Sequence, residues 1–201
     1  MGIDDLGVKA VEGGEKSGVH LPRRNPFAAE ALRARGTTRL LDGRYSEAVA
    51  LLEEARGVSS ALVSDWYLAQ AYYYQGEQDR AEKILAGLRG SAQAEQRAKA
   101  TLASFLAARN EKQRAGKLLD EVLAGSYQDH HVHYSVGAAY AQIGDKVKAR
   151  LWLARAIATG FPCYPWFERD QLLQPMQGDA EYERMRSELK KTWEAAKSKY
   201  M

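Results

Sequence analysis

The stretch Gly144-Asp145-Lys146-Val147-Lys148-Ala149-Arg150-Leu151-Trp152-Leu153 decides the fold, because its skeleton occurs three times earlier in the chain. Gly144, Ala149 and Leu153 are matched by Asn110, Ala115 and Leu119, by Gly76, Ala81 and Leu85, and by Gly43, Ala48 and Leu52. Along the chain, each column is spaced 33, 34 and 34 residues apart. Three columns that keep one period mark an internal repeat. Repeats of this length are helix–turn–helix units that bury their apolar faces by stacking.

Each column has a physical reason. Gly or Asn ends the first helix, where a left-handed residue is needed. A small Ala near the start of the second helix lets the two helices approach. The Leu one turn later fills the seam. The pattern predicts four helix pairs: 27–41 with 46–56, 61–75 with 77–88, 93–108 with 111–124, and 130–143 with 146–159. A run from Asn25-Pro26 with no further proline until Pro162, rich in Ala, Leu and Arg, supports an all-α reading.

Outward from the repeats, residues 1–25 carry Gly2, Gly7, Gly13, Gly14, Gly18 and Pro22 with no periodicity, and read as a flexible leader or linker. At the other end, Pro162, Pro165 and Pro175 forbid one continuous helix over 161–177. Short turns are expected there, with Phe161, Trp166, Phe167, Leu172 and Leu173 folded over the last repeat. A final helix is expected from the N-cap Asp179 to about Lys197. Its Tyr182, Met185, Leu189 and Trp193 share one face at helical spacing, which should seal the end of the stack. The organisation is therefore 1–25 leader, 26–163 four repeats, and 164–201 capping segment and helix.

The composition agrees. The 201 residues are 45% hydrophobic and 27% charged, with a net charge of +3. That is the balance of a globular chain, and too small a charge excess to imply nucleic acid. The single cysteine, Cys163, allows no intrachain disulfide, which fits a reducing compartment. Met1-Gly-Ile-Asp-Asp lacks the basic start of a signal peptide, and no stretch approaches the roughly 18 apolar residues of a membrane span. The expected location is cytoplasmic, without membrane insertion.

First-helix motifs carry a family resemblance: Leu68-Ala69 with Tyr72, Leu102-Ala103 with Leu106, and Val136-Gly137 with Tyr140. With the 34-residue columns, these resemble the tetratricopeptide repeat (TPR). The first repeat departs, keeping Gly36 but placing Arg35 and Arg39 where apolar residues are usual. The run Gly160-Phe161-Pro162-Cys163-Tyr164-Pro165-Trp166-Phe167, with Asp170, Leu172-Leu173, Pro175, Asp179 and Tyr182, resembles the C-terminal TPR segments of bacterial signalling proteins. Those include eukaryotic-like serine/threonine kinases, winged-helix regulators and adenylate cyclases. The kinase, cyclase and DNA-binding signatures are absent from this chain, so no catalytic residue is carried over.

The resemblance implies a right-handed α-solenoid of four TPR helix pairs with a capping helix, whose first helices line a concave groove. It places Glu30, Arg33 and Thr37 on that groove, then Val63, Trp66, Gln70, Tyr73 and Tyr74. Arg97, Ala100 and Ser104 follow, and then His131, Tyr134 and Ala138. Aromatics and arginine are the residue types that carry interface energy. The expected binding residues are therefore Arg33, Trp66, Gln70, Tyr73, Tyr74, Arg97, His131 and Tyr134. The expected guest is an acidic protein or peptide segment with apolar anchors. Against this stands the reading that Tyr73 and Tyr74 pack between neighbouring helices. Thr37 and Tyr67 stand where chaperone-binding members carry Asn, so chaperone C-termini are not the expected partner.

Other chemistry is weaker. His130, His131 and His133 cluster beside Asp129, but adjacent helical residues diverge by about 100°. Asp129 is more simply a helix N-cap. No metal or cofactor is expected. Nor does the chain contain a phosphate-binding, zinc-protease or nucleophile-elbow motif. Cys163, set among prolines and aromatics, reads as a buried thiol. Arg23, Arg24, Arg33, Arg35, Arg39 and Arg44 make the N-terminal end basic, yet no reading helix or stacking platform accompanies them. The expected function is a protein-interaction scaffold, not an enzyme. A self-associating structural module is the alternative, and a metal- or small-ligand-binding regulator is a third reading resting on the histidines.

Overall fold

The computed structural model describes residues 26–200, and the leader expected over 1–25 lies outside them. Eight helices come first: α1 (Pro26–Leu41), α2 (Tyr45–Val58), α3 (Leu62–Gln75), α4 (Gln78–Gly87), α5 (Ala92–Ala108), α6 (Lys112–Ala124), α7 (His130–Ile143) and α8 (Lys146–Ala158). A short α9 (Tyr164–Arg169), a 3-10 helix (Gln171–Met176) and a long α10 (Ala180–Tyr200) follow. The described residues form no strand. None of their helices is long and apolar enough to cross a membrane.

The repeat columns are visible in the backbone. Gly43, Gly76, Asn110 and Gly144 all have positive φ, at 76°, 101°, 63° and 99°. At each turn the next residue's N–H reaches back five residues to a helical carbonyl. Arg44 bonds Arg39 at 2.8 Å, Glu77 bonds Tyr72 at 2.8 Å, Glu111 bonds Leu106 at 2.9 Å and Asp145 bonds Tyr140 at 3.0 Å. This is the Schellman closure, which satisfies carbonyls that the helix end would otherwise leave unpaired. Asn110, the one non-glycine, belongs to the residue types that tolerate the left-handed region best.

Ala48, Ala81, Ala115 and Ala149 are fully buried, as are Leu52 and Leu153, while Leu85 and Leu119 are nearly so. Opposite the leucines runs a second small-residue column: Gly36, Ala69, Ala103 and Gly137. A Cβ added at Gly36 would lie 2.7 Å from Leu52 Cγ, and one at Gly137 would lie 2.8 Å from Leu153 Cγ. The glycines thus set the helix separation in the first and fourth pairs. Consecutive helices pack on one another, and the first helices of the pairs also touch in order, α1 on α3, α3 on α5, and α5 on α7.

N-caps fix several starts. Asp129 accepts from the Val132 N–H at 2.9 Å, and Ser91 accepts from Ala94 at 3.1 Å. Asp179 accepts from Tyr182 at 3.0 Å, as its sequence position predicts. Such a cap contributes about 1 kcal/mol.

One expectation for the last helix fails. Tyr182 and Leu189 are buried and Met185 packs partly, but Trp193 is 38% exposed. Residues 190–199 are exposed throughout. α10 rests on α9 and on α8 near its start, so its neighbours end before the last turns. The apolar face continues in sequence past the point where anything covers it.

Candidate functional site

Residues 161–176 lie against α1, α3 and α7, and Asp170 is their anchor. Its carboxylate accepts the Tyr74 hydroxyl of α3 at 2.8 Å and the Tyr134 hydroxyl of α7 at 2.5 Å. It also accepts the Leu172 N–H at 2.9 Å. Gln142 of α7 donates to the Leu172 carbonyl at 2.7 Å. Arg169 reaches the Leu41 carbonyl at the end of α1. The segment therefore joins the first, second and fourth helix pairs.

Rings fill the space around this anchor. Tyr74 meets Trp166 edge-on at 5.1 Å between centroids. Tyr134 meets Phe161 at 5.0 Å and Phe167 at 5.2 Å, both edge-to-face. Tyr73 stacks on Phe105 at 3.6 Å, and Tyr182 donates to the Phe167 carbonyl at 3.2 Å. Trp166 and Phe167 are buried, so their expected core role holds. Edge-to-face pairs add about 0.5–1.5 kcal/mol each beyond burial.

This arrangement corrects the picture of an open aromatic groove. Tyr73 and Tyr134 are buried, and the Tyr74 hydroxyl is spent on Asp170. Ala100, Ser104 and Ala138, which the resemblance places on the groove, are also buried. Trp66 is 4% exposed, and its indole N–H donates to Thr101 Oγ1 at 2.9 Å. Gln70 is half-buried and bonds its own helix at the Trp66 carbonyl. The chain's own C-terminal segment occupies the face to which a guest was assigned, because its tryptophan and phenylalanines have nowhere else to leave water.

The starts of α3 and α5 are more open. A cleft of about 290 Å³ lies between α3 and α5, lined by Leu62, Val63, Trp66, Ser91, Gln93, Ala94 and Arg97. Leu62 stands partly exposed on its rim. The Arg97 guanidinium is within 5.5 Å of the Trp66 ring and donates to Asp129 Oδ2 at 2.8 Å. Asp129 thus caps α7 and holds Arg97. Burial works to raise its pKa, but the Val132 N–H and Arg97 outweigh this and lower it. Arg33 sits apart on α1, paired with Glu30. Of the expected binding residues, only Trp66 and Arg97 line this cleft.

His131 packs against Trp66 at 4.8 Å and Phe161 at 5.6 Å. Burial, with His130 and Arg97 nearby, pushes its pKa down to about 3, so it is neutral at physiological pH. His133 turns away and meets Thr159 Oγ1 at 3.1 Å. Among the described residues, no group of three His, Cys, Asp or Glu side chains is placed to hold a metal. Cys163 is partly buried, and burial raises its thiol pKa, the reverse of an activated nucleophile.

Sequence reasoning missed the anchoring role of Asp170. Asp170 carried a signal, as an acid two residues before Leu172-Leu173 and close to Trp166-Phe167, which must find donors if the segment is buried. Thr37, which the resemblance places on the groove, lines a small cavity closed by Phe161 and Trp166 from far along the chain. No protein-family model, curated protein or solved structure matches the chain.

Proposed function

We propose that the chain is a TPR-type scaffold that binds a protein or peptide and catalyses no reaction. Its expected setting is cytoplasmic bacterial signalling, as an adaptor or sensory module. The observation that carries this reading is the cleft of about 290 Å³ at the starts of α3 and α5, where Leu62 and Val63 lie beside Arg97. Apolar anchors next to a cation suit an amphipathic segment with an acidic residue.

The test is capture of partners from the native host with wild type and with Leu62→Glu. Leu62 is 38% exposed, so the substitution leaves the melting temperature within about 2 °C if it acts only on binding. Loss of the captured partner supports the cleft. Undiminished capture sinks it.

Self-association is a second reading, favoured by Val147 and Leu151 on α8, which are 69% and 51% exposed and one helical turn apart. Sedimentation at rising concentration separates the two. A dimer that Leu151→Glu abolishes supports self-association.

A further inference from the structure

A second, smaller cavity of about 50 Å³ lies where the C-terminal segment meets α1, α3 and α7. Leu40 and Trp166 give it apolar wall, and Thr37, Tyr67, Gln70 and His131 give it polar atoms. Carboxylate, ammonium and guanidinium groups are absent from its lining among the described residues. Thr37 Oγ1 is buried there with no hydrogen-bond partner among the described residues. An unpaired buried hydroxyl costs about 1–3 kcal/mol, so an unfilled Thr37 needs an explanation.

The lining has a definite chemistry. Thr37, Tyr67, Gln70, His131, Tyr134 and Ser135 can each both donate and accept, with the Tyr134 hydroxyl hydrogen already given to Asp170. His131 is neutral in this setting, so it offers one N–H and one lone pair. Gln70 spends one N–H on the Trp66 carbonyl at 3.4 Å and keeps its carbonyl oxygen. A full charge would enter without a counter-ion on the wall, which is costly in so enclosed a place. A purely apolar guest would leave the donors unanswered.

We propose that this cavity is a binding site for a compact uncharged amide, held by Thr37, Gln70 and His131. A space of about 50 Å³ suits a guest as small as a primary amide group with one or two carbons. The amide can come from a free small molecule or from the Asn side chain of a partner. Because the site sits between the C-terminal segment and α1, its occupation also strengthens that junction. The inference is independent of any peptide bound in the α3–α5 cleft.

Acetamide is the probe, titrated into the full chain at neutral pH while the His131 ring resonances are followed by NMR. Saturable shifts at millimolar acetamide are expected, with affinity at least five-fold weaker in the near-isosteric Thr37→Val. Gln70→Met gives a second reading should Thr37→Val fail to fold. A blocked Gly-Asn-Gly tripeptide that competes with acetamide assigns the site to a side chain, and acetamide binding without competition assigns it to a free amide. The proposal is overturned if acetamide produces no saturable shift, which leaves water as the filling. It is equally overturned if acetate binds as well, or if the folded variants bind like wild type.

Discussion

Tyr74 and Asp170, 96 positions apart in the chain, are joined by a hydrogen bond of 2.8 Å. With Tyr134 at 2.5 Å on the other carboxylate oxygen, it makes Asp170 the point where α3, α7 and the C-terminal segment meet. No arginine or lysine takes part, so the charge is met by hydroxyl and amide dipoles alone. Such a network is stable only when every member is satisfied.

Asp170→Ala leaves two hydroxyls and one N–H without their acceptor, and is expected to cost about 3 kcal/mol or more. Urea unfolding measures it. A loss under 1 kcal/mol would mean that water replaces the carboxylate without penalty.

Asp170 also predicts a pH dependence. Burial raises its carboxyl above the usual 3.8, although the Tyr134, Leu172 and Tyr74 donors pull the other way. The folded state therefore holds this proton more tightly than the unfolded chain. Its favourable contribution is full below 3.8 and is lost as pH rises through the folded value. The stability of wild type minus that of Asp170→Asn should fall as pH rises above 3.8. A flat or rising difference would refute the assignment.

His131 has the opposite sign. Burial, with His130 and Arg97, holds its pKa at about 3 against the ordinary 6.5. The fold keeps this ring neutral, and that contribution is present above 6.5 and lost as pH falls toward 3. Unfolding free energy should drop below pH 6.5 by at most about 1.4 kcal/mol per pH unit from this group. His131→Gln should remove that part of the slope, measured by denaturant melts at pH 4.5, 5.5 and 7.

Glycines separate by environment. Gly36→Ala and Gly137→Ala push a methyl against Leu52 and Leu153, and each should cost about 1–3 kcal/mol. Gly116, within α6, has nothing within 4 Å of an added Cβ. Gly116→Ala should stabilise by about 0.5–1 kcal/mol. Equal effects at the three sites, by thermal melts, would contradict the helix separations described.

Much of the helical architecture was legible in the sequence because its determinants are local and repeated. A left-handed turn residue, a small residue at a crossing and a leucine one turn on each act within one helix pair, so 34-residue columns expose them. The predicted pair boundaries fall within two residues of the observed ones. The site was less legible. Tyr74 and Tyr134 occupy the groove-facing positions that the resemblance assigns, yet whether they face solvent depends on Trp166, Phe167 and Asp170, which lie outside the repeat columns. No periodicity reports where a non-repeating segment lands. Trp193 failed for the complementary reason: helical spacing marks a face, but not whether a neighbour reaches it.

The Arg169 contact with the end of α1 has a consequence for the chain as a polymer of units. A linear stack can lengthen by duplication, and it can unravel one unit at a time from either terminus. Here the tail after the final pair is fastened to the opening pair, so the assembly resembles a strap with its buckle closed. A fifth unit inserted before the tail would carry the buckle away from its hole. Lengthening the stack would therefore break this fastening, and loss of either end removes a contact of the other.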